Sequence, residues 1–254
     1  MRVLDVGCGV GGPLRNIARF SGAVVEGVTI NAYQVGRGNR LCEQMGLGGQ
    51  CHLTRGDFMK LPFGAADTDG SIGPEGSFDA AYSIEAACHA PDRALCFAQV
   101  ARALRAGALF TGYDWVMTDA YDPSNAAHVA IKEGIEVGNG LPTMTGGAEL
   151  LAALESQGFE VLDSFDANEA AHDNPHHTPW YEPLDGRFTP SGFRMTRPGR
   201  AITHAMVSAL ELCRVAPRGS VKVSQLLNDT ADDLVAGGKT RIFTPSFFWL
   251  ARKR

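Results

Sequence analysis

The sequence has 254 residues, 44% of them hydrophobic, which is enough for one large domain or for a domain with a sizeable insertion. A formal net charge of -5 without a long basic run argues against a nucleic-acid surface, because binding phosphates needs clustered Lys and Arg. No apolar run is long enough to cross a bilayer and the opening residues do not resemble a secretory signal, so we expect any membrane contact to be peripheral. The six cysteines lack a tight repeated spacing, which is typical of free thiols in a reducing compartment.

The first half of the chain alternates strand and helix patterns. Strands are predicted at residues 3–6, 23–30, 51–57, 78–84 and 108–113, and helices at 13–20, 33–45 and 92–104. Such alternation predicts an α/β fold with a doubly wound parallel sheet, whose ligand lies at the carboxyl ends of the strands.

The second half continues with predicted helices at 126–137 and 148–157 and a strand at 159–162. Residues 64–77 are rich in Gly, Ala, Asp and Ser and are predicted to be a mobile surface loop. A strand at 241–250 is expected to close the sheet beside 159–162. We therefore predict a cofactor-binding core of residues 1–166, completed by a terminal strand within 241–254, and a substrate region at 167–240.

A glycine-rich turn follows the first strand and reads Asp5-Val6-Gly7-Cys8-Gly9-Val10-Gly11-Gly12-Pro13. It matches both the dinucleotide fingerprint and the first motif of S-adenosylmethionine (SAM) methyltransferases. A nicotinamide site usually has an acid at the end of the second strand, whereas that strand here ends in Thr29-Ile30-Asn31. Gln34 offers an amide to a ribose instead, and Asp57 and Phe58 offer an acid and an apolar ring to an adenine. These features favour SAM, while NAD and a plain tight turn remain the alternatives.

Several further segments resemble one methyltransferase family. With the glycine turn, they are 29–34, 56–59, 82–91, 114–119, 136–142, 179–181, 237–239 and 242–245. Together they resemble the sterol C24-methyltransferases, a family of SAM-dependent class I enzymes. The block from Ile84 to Pro91 and the C-terminal segments make the resemblance specific, since the glycine turn is common to SAM enzymes.

The resemblance implies a Rossmann-like class I methyltransferase sheet with a C-terminal sterol-methyltransferase subdomain. It implies that a methyl group passes from SAM to the Δ24 side-chain double bond of a sterol, as a step of sterol biosynthesis. The predicted cofactor-binding residues are Asp5, Gly7, Cys8, Gly9, Gly11, Thr29, Ile30, Gln34, Asp57, Phe58, Ser83 and Ile84. The predicted catalytic residues are Glu85, His89, Asp114 and Glu136, and the predicted substrate residues are Tyr113, Trp115, Trp180 and Tyr181.

The implied reaction forms a carbocation that shifts a hydride and loses a proton, so the site needs a base, negative potential and protection from water. The spacing of Glu85 and His89 places both on one face of a helical turn, where either could accept the proton; alternatively Glu85 contacts only the cofactor and His89 is a cap or core residue. Asp114 stands where the family usually has Glu. Glu136 matches a family acid, although a solvated helix face explains it equally well.

The aromatic residues Tyr113, Trp115, Trp180 and Tyr181 could stabilise the cation through their ring faces, although core packing or pocket lining is the commoner role. His172, His176 and His177 lie in a segment with Pro and Asn, which favours a solvated turn over a metal site, and no metal is expected.

The resemblance further implies a homo-oligomer in peripheral contact with the endoplasmic reticulum or a lipid droplet. Members of the family carry an upstream aromatic-rich segment and a helix near the cofactor, whereas this sequence opens at the first strand. Two alternatives therefore stay open: an inactive or truncated homologue that binds SAM, and a methyltransferase for another hydrophobic acceptor such as a prenylated or quinone-like ring.

Overall fold

The computed structural model describes residues 1–64, 70–170, 174, 176–186, 189 and 192–254. Its elements in chain order are β1 (Arg2–Val6), α1 (Gly12–Ser21), β2 (Val24–Thr29), α2 (Ala32–Gln44), β3 (Cys51–Arg55), β4 (Phe78–Ile84), α3 (Arg93–Ala103), β5 (Leu104–Met117), α4 (Ala126–Asn139), α5 (Gly147–Ser156), β6 (Phe159–Asp166), α6 (Ala167–Ala170), α7 (Glu182–Asp185), α8 (Arg197–Leu212), α9 (Ser220–Lys239) and β7 (Phe243–Lys253). Short 3-10 turns occur at Ala87–His89 and Phe193–Met195.

The strands of the described residues form one sheet in the order β3-β2-β1-β4-β5-β7-β6. β1 runs parallel to β2 and β4, β3 runs parallel to β2, and β5 runs parallel to β4. β7 lies between β5 and β6 and pairs antiparallel with β6. The predicted doubly wound α/β sheet is therefore confirmed, as is the return of the C-terminal strand to residues 159–162.

The first βα unit follows from local signals in the sequence. β1 is buried over Val3–Val6, because strands inside a parallel sheet are covered on both faces. Gly11 precedes α1 in the left-handed conformation, and Pro13 stands in its first turn, where a missing N–H costs nothing. Leu14 and Ala18 then turn toward the sheet and are fully buried, and a buried Leu side chain contributes about 1.5–3 kcal/mol to stability.

An aromatic cluster holds the C-terminal strand in the sheet. The ring of Phe110 in β5 lies 5.6 Å from Phe97 of α3, 5.6 Å from Phe159 of β6 and 5.8 Å from Trp249 of β7, centroid to centroid. All four side chains are fully buried. Contacts between rings thus join the consecutive elements α3 and β5 to β6 and β7, which follow much later in the sequence. Such contacts add specific geometry to apolar burial.

The chain separates into two compact units. Unit 1 comprises Met1–Trp115, Gly147–Asp166 and Pro245–Arg254, and unit 2 comprises Val116–Gly146 and Ala167–Thr244. The sequence-based division assigned residues 116–146 to the core, whereas in the structure this segment belongs to unit 2. The physical reason is that α4 packs along α9, where Gly134 and Gly138 allow close approach to Asp233 and Thr230.

Two further expectations differ from the structure. Residues 167–240 contain the long helices α8 and α9, which the hydrophobic pattern did not reveal. In the predicted surface loop, residues 65–69 lie outside the described residues, but Ile72 is fully buried and its carbonyl accepts a hydrogen bond from Arg2. Among the described residues, no helix combines the length and apolarity needed to cross a bilayer.

Candidate active site

The carboxyl ends of β1 and β4 mark the point at which the strand order reverses. β1 pairs with β2 on one side and with β4 on the other, and Val6 is in register with Ser83. In open α/β sheets, ligands bind in the crevice at such a switch point. Two segments leave this point, Gly7–Gly11 and Glu85–His89, and both contain predicted site residues: Gly7, Cys8, Gly9, Gly11, Glu85 and His89.

The glycine turn is built from backbone conformations that other residues adopt at a cost. Gly7, Gly9 and Gly11 have φ values of +82°, +55° and +73°. The N–H groups of Gly7 and Cys8 both donate to the carbonyl of Val28, at 3.0 Å each. A Cβ on Gly7 would overlap the side chain of Ala86, whereas a Cβ on Gly9 would enter open space. The turn therefore packs at Gly7 on the segment that follows β4 and leaves open space at Gly9, which suits the close approach of a cofactor.

Asp5 lies beneath this turn and is 3% exposed. Its Oδ2 accepts a hydrogen bond of 2.8 Å from the hydroxyl of Tyr82, the residue opposite it on β4. Burial raises the pKa of Asp5 to about 7, although the Tyr82 hydrogen bond acts in the lowering direction. Burial and the Asp5 charge raise the pKa of the Cys8 thiol, so Cys8 is a neutral packed side chain and not a nucleophile.

The end of β2 presents a small polar network. The Thr29 hydroxyl donates to the side-chain carbonyl of Gln34 at 2.7 Å, and Asn31 caps α2 by accepting from the N–H groups of Tyr33 and Gln34. The Gln34 carbonyl is thereby engaged as an acceptor, and its amide nitrogen can act as a donor. Ile30 is 68% exposed at this edge, so it offers an apolar surface to solvent or to a ligand.

Asp57 and Phe58, the residues predicted to bind the adenine, have different surroundings. Phe58 lies beside the glycine turn, 3.9 Å from the position that a Cβ on Gly7 would take. Asp57 is exposed, and its Oδ1 accepts a hydrogen bond of 2.8 Å from the N–H of Met59. Ser83 is fully buried and donates to the Val6 carbonyl at 3.4 Å, whereas Ile84 is half-buried.

Glu85 leaves β4 with a φ of +50°, a strained value for a residue other than glycine. Its N–H donates to the Tyr113 carbonyl at 3.0 Å, which ties it to the end of β5. Burial raises the pKa of Glu85, a hydrogen bond with Trp115 lowers it, and the charge of Asp114 raises it. Burial and the Glu85 charge also raise the pKa of Tyr113. Strain and a perturbed acid at one place are typical of functional sites.

Asp114 is fully buried behind this edge. Its Oδ1 accepts a hydrogen bond of 2.9 Å from the N–H of Trp115. Burial raises the pKa of Asp114, opposed by hydrogen bonds from Cys88 and Trp115 and by the charge of Arg93. His89 ends the 3-10 turn with an exposed side chain, and its N–H donates to the Ala86 carbonyl. The edge therefore carries a more accessible acid, Glu85, and an inaccessible one, Asp114.

The remaining predicted residues belong to unit 2. Oε1 of Glu136 accepts hydrogen bonds from Lys132 Nζ at 2.5 Å and from the N–H of Met144 at 2.6 Å. The Glu136 side chain is only 14% exposed, so the alternative of a solvated helix face is wrong. These bonds hold the segment after α4 in place.

Trp180 and Tyr181 form an aromatic group in unit 2. Their rings meet edge to face at 5.6 Å, and Trp180 meets Phe243 at 5.5 Å. The Tyr181 ring lies directly against Gly238, where a Cβ would overlap it. The structure thus shows a packing role for these two predicted substrate residues.

The histidine segment was expected to be a turn. His172 lies outside the described residues, and the N–H groups of His176 and His177 donate to Asn174 at 2.9 Å each. Within the part of the chain that the structure describes, no group of three His, Cys, Asp or Glu residues could hold a metal ion.

Sequence reasoning missed Tyr82, Cys88 and Arg93 as members of the site. Tyr82 forms a hydrogen bond with Asp5, which lies 77 residues earlier in the chain, and Arg93 donates to the Trp115 carbonyl at 2.8 Å. The only signal for Tyr82 was its place two residues before the end of β4, in register with Asp5 once those strands pair.

Comparisons with known proteins agree with this geometry. A methyltransferase domain model matches residues 4–111, and a sterol methyltransferase C-terminal model matches residues 190–253. Cycloartenol-C-24-methyltransferase of Arabidopsis thaliana is 49% identical over 253 residues, which are 99% of this chain and 71% of that protein. Sterol 24-C-methyltransferase of Eremothecium gossypii is 42% identical over 99% of this chain and 66% of its own length.

Among solved structures, geranyl diphosphate C-methyltransferase of Streptomyces coelicolor A3(2), in complex with Mg2+, geranyl-S-thiolodiphosphate and S-adenosyl-L-homocysteine, matches with a TM-score of 0.66 at 16% identity. The match covers 100% of this chain and 69% of that one, and it supports the fold. The prediction of a SAM-dependent methyltransferase, made against a nicotinamide-dependent enzyme, is confirmed by these matches. The chain belongs to the sterol 24-C-methyltransferase family.

Proposed function

We propose that this chain transfers a methyl group from SAM to the Δ24 side-chain double bond of a sterol. The observation that carries the proposal is the juxtaposition, at one switch point, of an open glycine turn above a buried acid with the strained acid Glu85. Its relatives carry the names cycloartenol-C-24-methyltransferase and sterol 24-C-methyltransferase.

The residues at the edge of unit 1 suit SAM, which supplies an electrophilic methyl group on a sulfonium. The turn at Gly9 leaves room for the cofactor, and Asp5 offers negative charge to its ammonium group. Gln34 would bind the ribose, and Asp57 with Phe58 would bind the adenine. Cys8 and Ser83 are buried and support the turn and strand from behind.

Glu85 is the proposed catalytic acid-base residue. It is the more accessible carboxyl of the edge and is flanked by the aromatic residues Tyr113 and Trp115. A carboxylate stabilises a developing cation and can accept a proton, while aromatic faces stabilise a cation without reacting with it. Asp114 acts through Glu85, because it is buried and its charge raises the pKa of Glu85. His89 remains the alternative proton acceptor.

An apolar acceptor is supported by a groove within unit 2. α8 and α9 border an open groove with a volume of about 610 Å³, lined by Thr203 and Val207 on one side and by Val223 and Leu227 on the other. Ligand pockets commonly have volumes of this size and are mostly apolar. Glu136, Trp180 and Tyr181 are not among the residues that line this groove, and they would act as supporting residues through their contacts elsewhere in unit 2.

Peripheral contact with a membrane or lipid droplet is part of the proposal. Leu212, the last residue of α8, is 84% exposed, and Val215, in the turn before α9, is 74% exposed. The exposed basic residues Arg214 and Arg218 lie in the same turn. Exposed apolar residues beside basic ones are typical of surfaces that bind lipid headgroups. Assembly into a homo-oligomer remains a prediction.

The test is incubation of the purified protein with methyl-labelled SAM and a sterol that has a Δ24 double bond. We expect label in this sterol and none in a matched sterol with a saturated side chain. Label only in a quinone-type lipid would favour the other hydrophobic acceptor. SAM binding without label in any acceptor would favour an inactive homologue.

Glu85→Gln separates catalysis from cofactor binding. We expect turnover to fall by about 100-fold or more, because a general base and a negative charge are both lost, while the Kd for SAM changes by less than about threefold. Glu75→Gln, which alters an exposed ion pair with Arg102 in the same unit, is the matched control and should leave both unchanged. If Glu85→Gln lost turnover and SAM affinity equally, Glu85 would contact the cofactor and have no catalytic role.

A further inference from the structure

Tyr82 is a buried polar residue to which sequence reasoning assigned no role. It lies on β4 at 6% exposure, and its hydroxyl donates to Asp5 Oδ2 at 2.8 Å. Asp5 and Tyr82 face each other across β1 and β4, the two strands that form the switch point. A hydroxyl that donates to a carboxyl group favours the ionised carboxylate and fixes its orientation.

Other titratable groups near this pair are mainly thiols. Cys8 comes from the glycine turn, Cys42 from α2 and Cys51 from β3. The positive charge of Arg15 on α1 acts on Cys51. Burial raises the pKa of Cys8, and burial raises that of Cys51 to about 11. Neither thiol carries charge near neutral pH, so Tyr82 is the polar partner that acts directly on Asp5.

We propose that Tyr82 is a positioning residue that keeps the Asp5 carboxylate ionised and aligned for the ammonium group of SAM. This inference rests on the proposed function, because it assigns Asp5 to that part of the cofactor. Tyr82 itself contacts neither SAM nor substrate, and it acts through Asp5.

The proposal predicts a characteristic dependence on pH. Burial already raises the pKa of Asp5 to about 7, and removal of the Tyr82 hydroxyl should raise it further. If only ionised Asp5 binds SAM tightly, each increase of that pKa by one lowers affinity about tenfold at pH 6. At pH 9 both forms of the protein are ionised, and the loss should shrink to less than about twofold. The amino group of SAM titrates at about pH 8, and this affects the unmodified chain and Tyr82→Phe alike because both keep Asp5.

The experiment is calorimetric titration of SAM into the full chain, Tyr82→Phe and Asp5→Asn between pH 5.5 and 9.5 (roughly the range around both pKa values). Tyr121→Phe is the matched control, since Tyr121 stacks on His128 in unit 2 and has no place in the proposed site. We expect Tyr82→Phe to lose at least about tenfold in affinity at pH 6 and to recover at pH 9, with Asp5→Asn showing no such acid-side dependence. The control should follow the unmodified chain.

A uniform loss across the whole pH range would overturn the proposal, because it would mean that Tyr82 only packs. An unchanged profile would overturn it too. If Tyr82→Phe binds SAM as expected but the unmodified chain methylates no sterol, the proposed function fails and the role of Tyr82 stands.

A second measurement needs no cofactor. The pKa of Asp5 can be followed by carboxyl ¹³C NMR in the unmodified chain and in Tyr82→Phe, with Asp5→Asn identifying the signal. A higher pKa in Tyr82→Phe supports the proposal, and an equal or lower pKa contradicts it. If Tyr82→Phe does not fold, 3-fluorotyrosine at position 82 provides a more acidic hydroxyl, which should lower the Asp5 pKa.

Discussion

The two units use polar groups and glycines for different purposes. At the edge of unit 1, glycines adopt left-handed conformations, Glu85 is strained, and burial raises the pKa of Asp5 and Asp114. In unit 2, Gly138 lies inside a helix that packs closely on α9, and the half-buried pair Lys132 and Glu136 is bonded to each other and to the backbone.

The difference shows where the molecule gives up stability. A buried acid without full compensation and a residue at positive φ each cost free energy, and such costs persist where they serve a function. In unit 1 both kinds of cost meet at the switch point. In unit 2 the positive-φ residues Arg214 and Arg241 instead follow the ends of α8 and α9, and the charges of Lys132 and Glu136 are paired with each other. The substitutions below test this contrast, beginning with the largest expected effect.

Asp5→Asn should stabilise unit 1 at neutral pH. The pKa of Asp5 is about 7 in the fold and close to 3.8 when exposed, so between these values the folded state holds a proton that the unfolded state has lost. The free energy of unfolding should therefore fall by up to about 4 kcal/mol as pH rises from about 4 to 8, and the Asn variant should lack this fall. Urea unfolding of the unmodified chain and of Asp5→Asn across this pH range measures the free energy of unfolding. If it depended on pH in the same way in both proteins, burial of the Asp5 carboxylate would not cost stability.

Gly7→Ala and Gly9→Ala separate packing from conformation in the glycine turn. Both need a positive φ, but only the Gly7 variant would overlap Ala86. We expect Gly7→Ala to lose about 3 kcal/mol of stability and Gly9→Ala about 1 kcal/mol. The methyl group at Gly9 enters the open space, so Gly9→Ala should lose more SAM affinity than stability. Thermal unfolding measures the stability of each variant, and titration with SAM measures its affinity. Equal losses of stability in Gly7→Ala and Gly9→Ala would contradict the expected overlap of the Gly7 variant with Ala86.

Gly138→Ala tests whether unit 2 depends on close helix packing. The added methyl group would overlap Thr230 of α9, and we expect a loss of about 2 kcal/mol despite the higher helix propensity of Ala. Thr230→Ala in the same chain should recover about 1 kcal/mol of that loss in a double-mutant cycle. Gly36→Ala is the control, because Gly36 lies in α2 with open space around its Cβ position and should gain up to about 1 kcal/mol. If Gly138→Ala left the free energy of unfolding unchanged, unit 2 would not depend on the close packing of α4 on α9.

Local signals explain which parts of the molecule the sequence revealed. β1, α1 and β4 were recognisable because apolar runs, a positive-φ glycine turn and a first-turn proline act within a few residues. α8 and α9 were not, because their apolar residues are largely exposed and interrupted by polar ones; Met206 and Leu227 are 57% and 61% exposed. Residues 116–146 were assigned to the core since their packing partner, α9, follows about 80 residues later.

By itself, the sequence determined the doubly wound sheet, through alternating strand and helix patterns, and the glycine turn, through its motif. It also favoured SAM, because the second strand ends without an acid and Gln34, Asp57 and Phe58 follow the second and third strands. Only the tertiary structure decided that Tyr82 bonds Asp5, that Asp114 is inaccessible and that Glu136 holds the segment after α4. Burial and hydrogen bonding set the charge state and the reach of an acid. Both arise from strands and helices that meet only after the chain has folded.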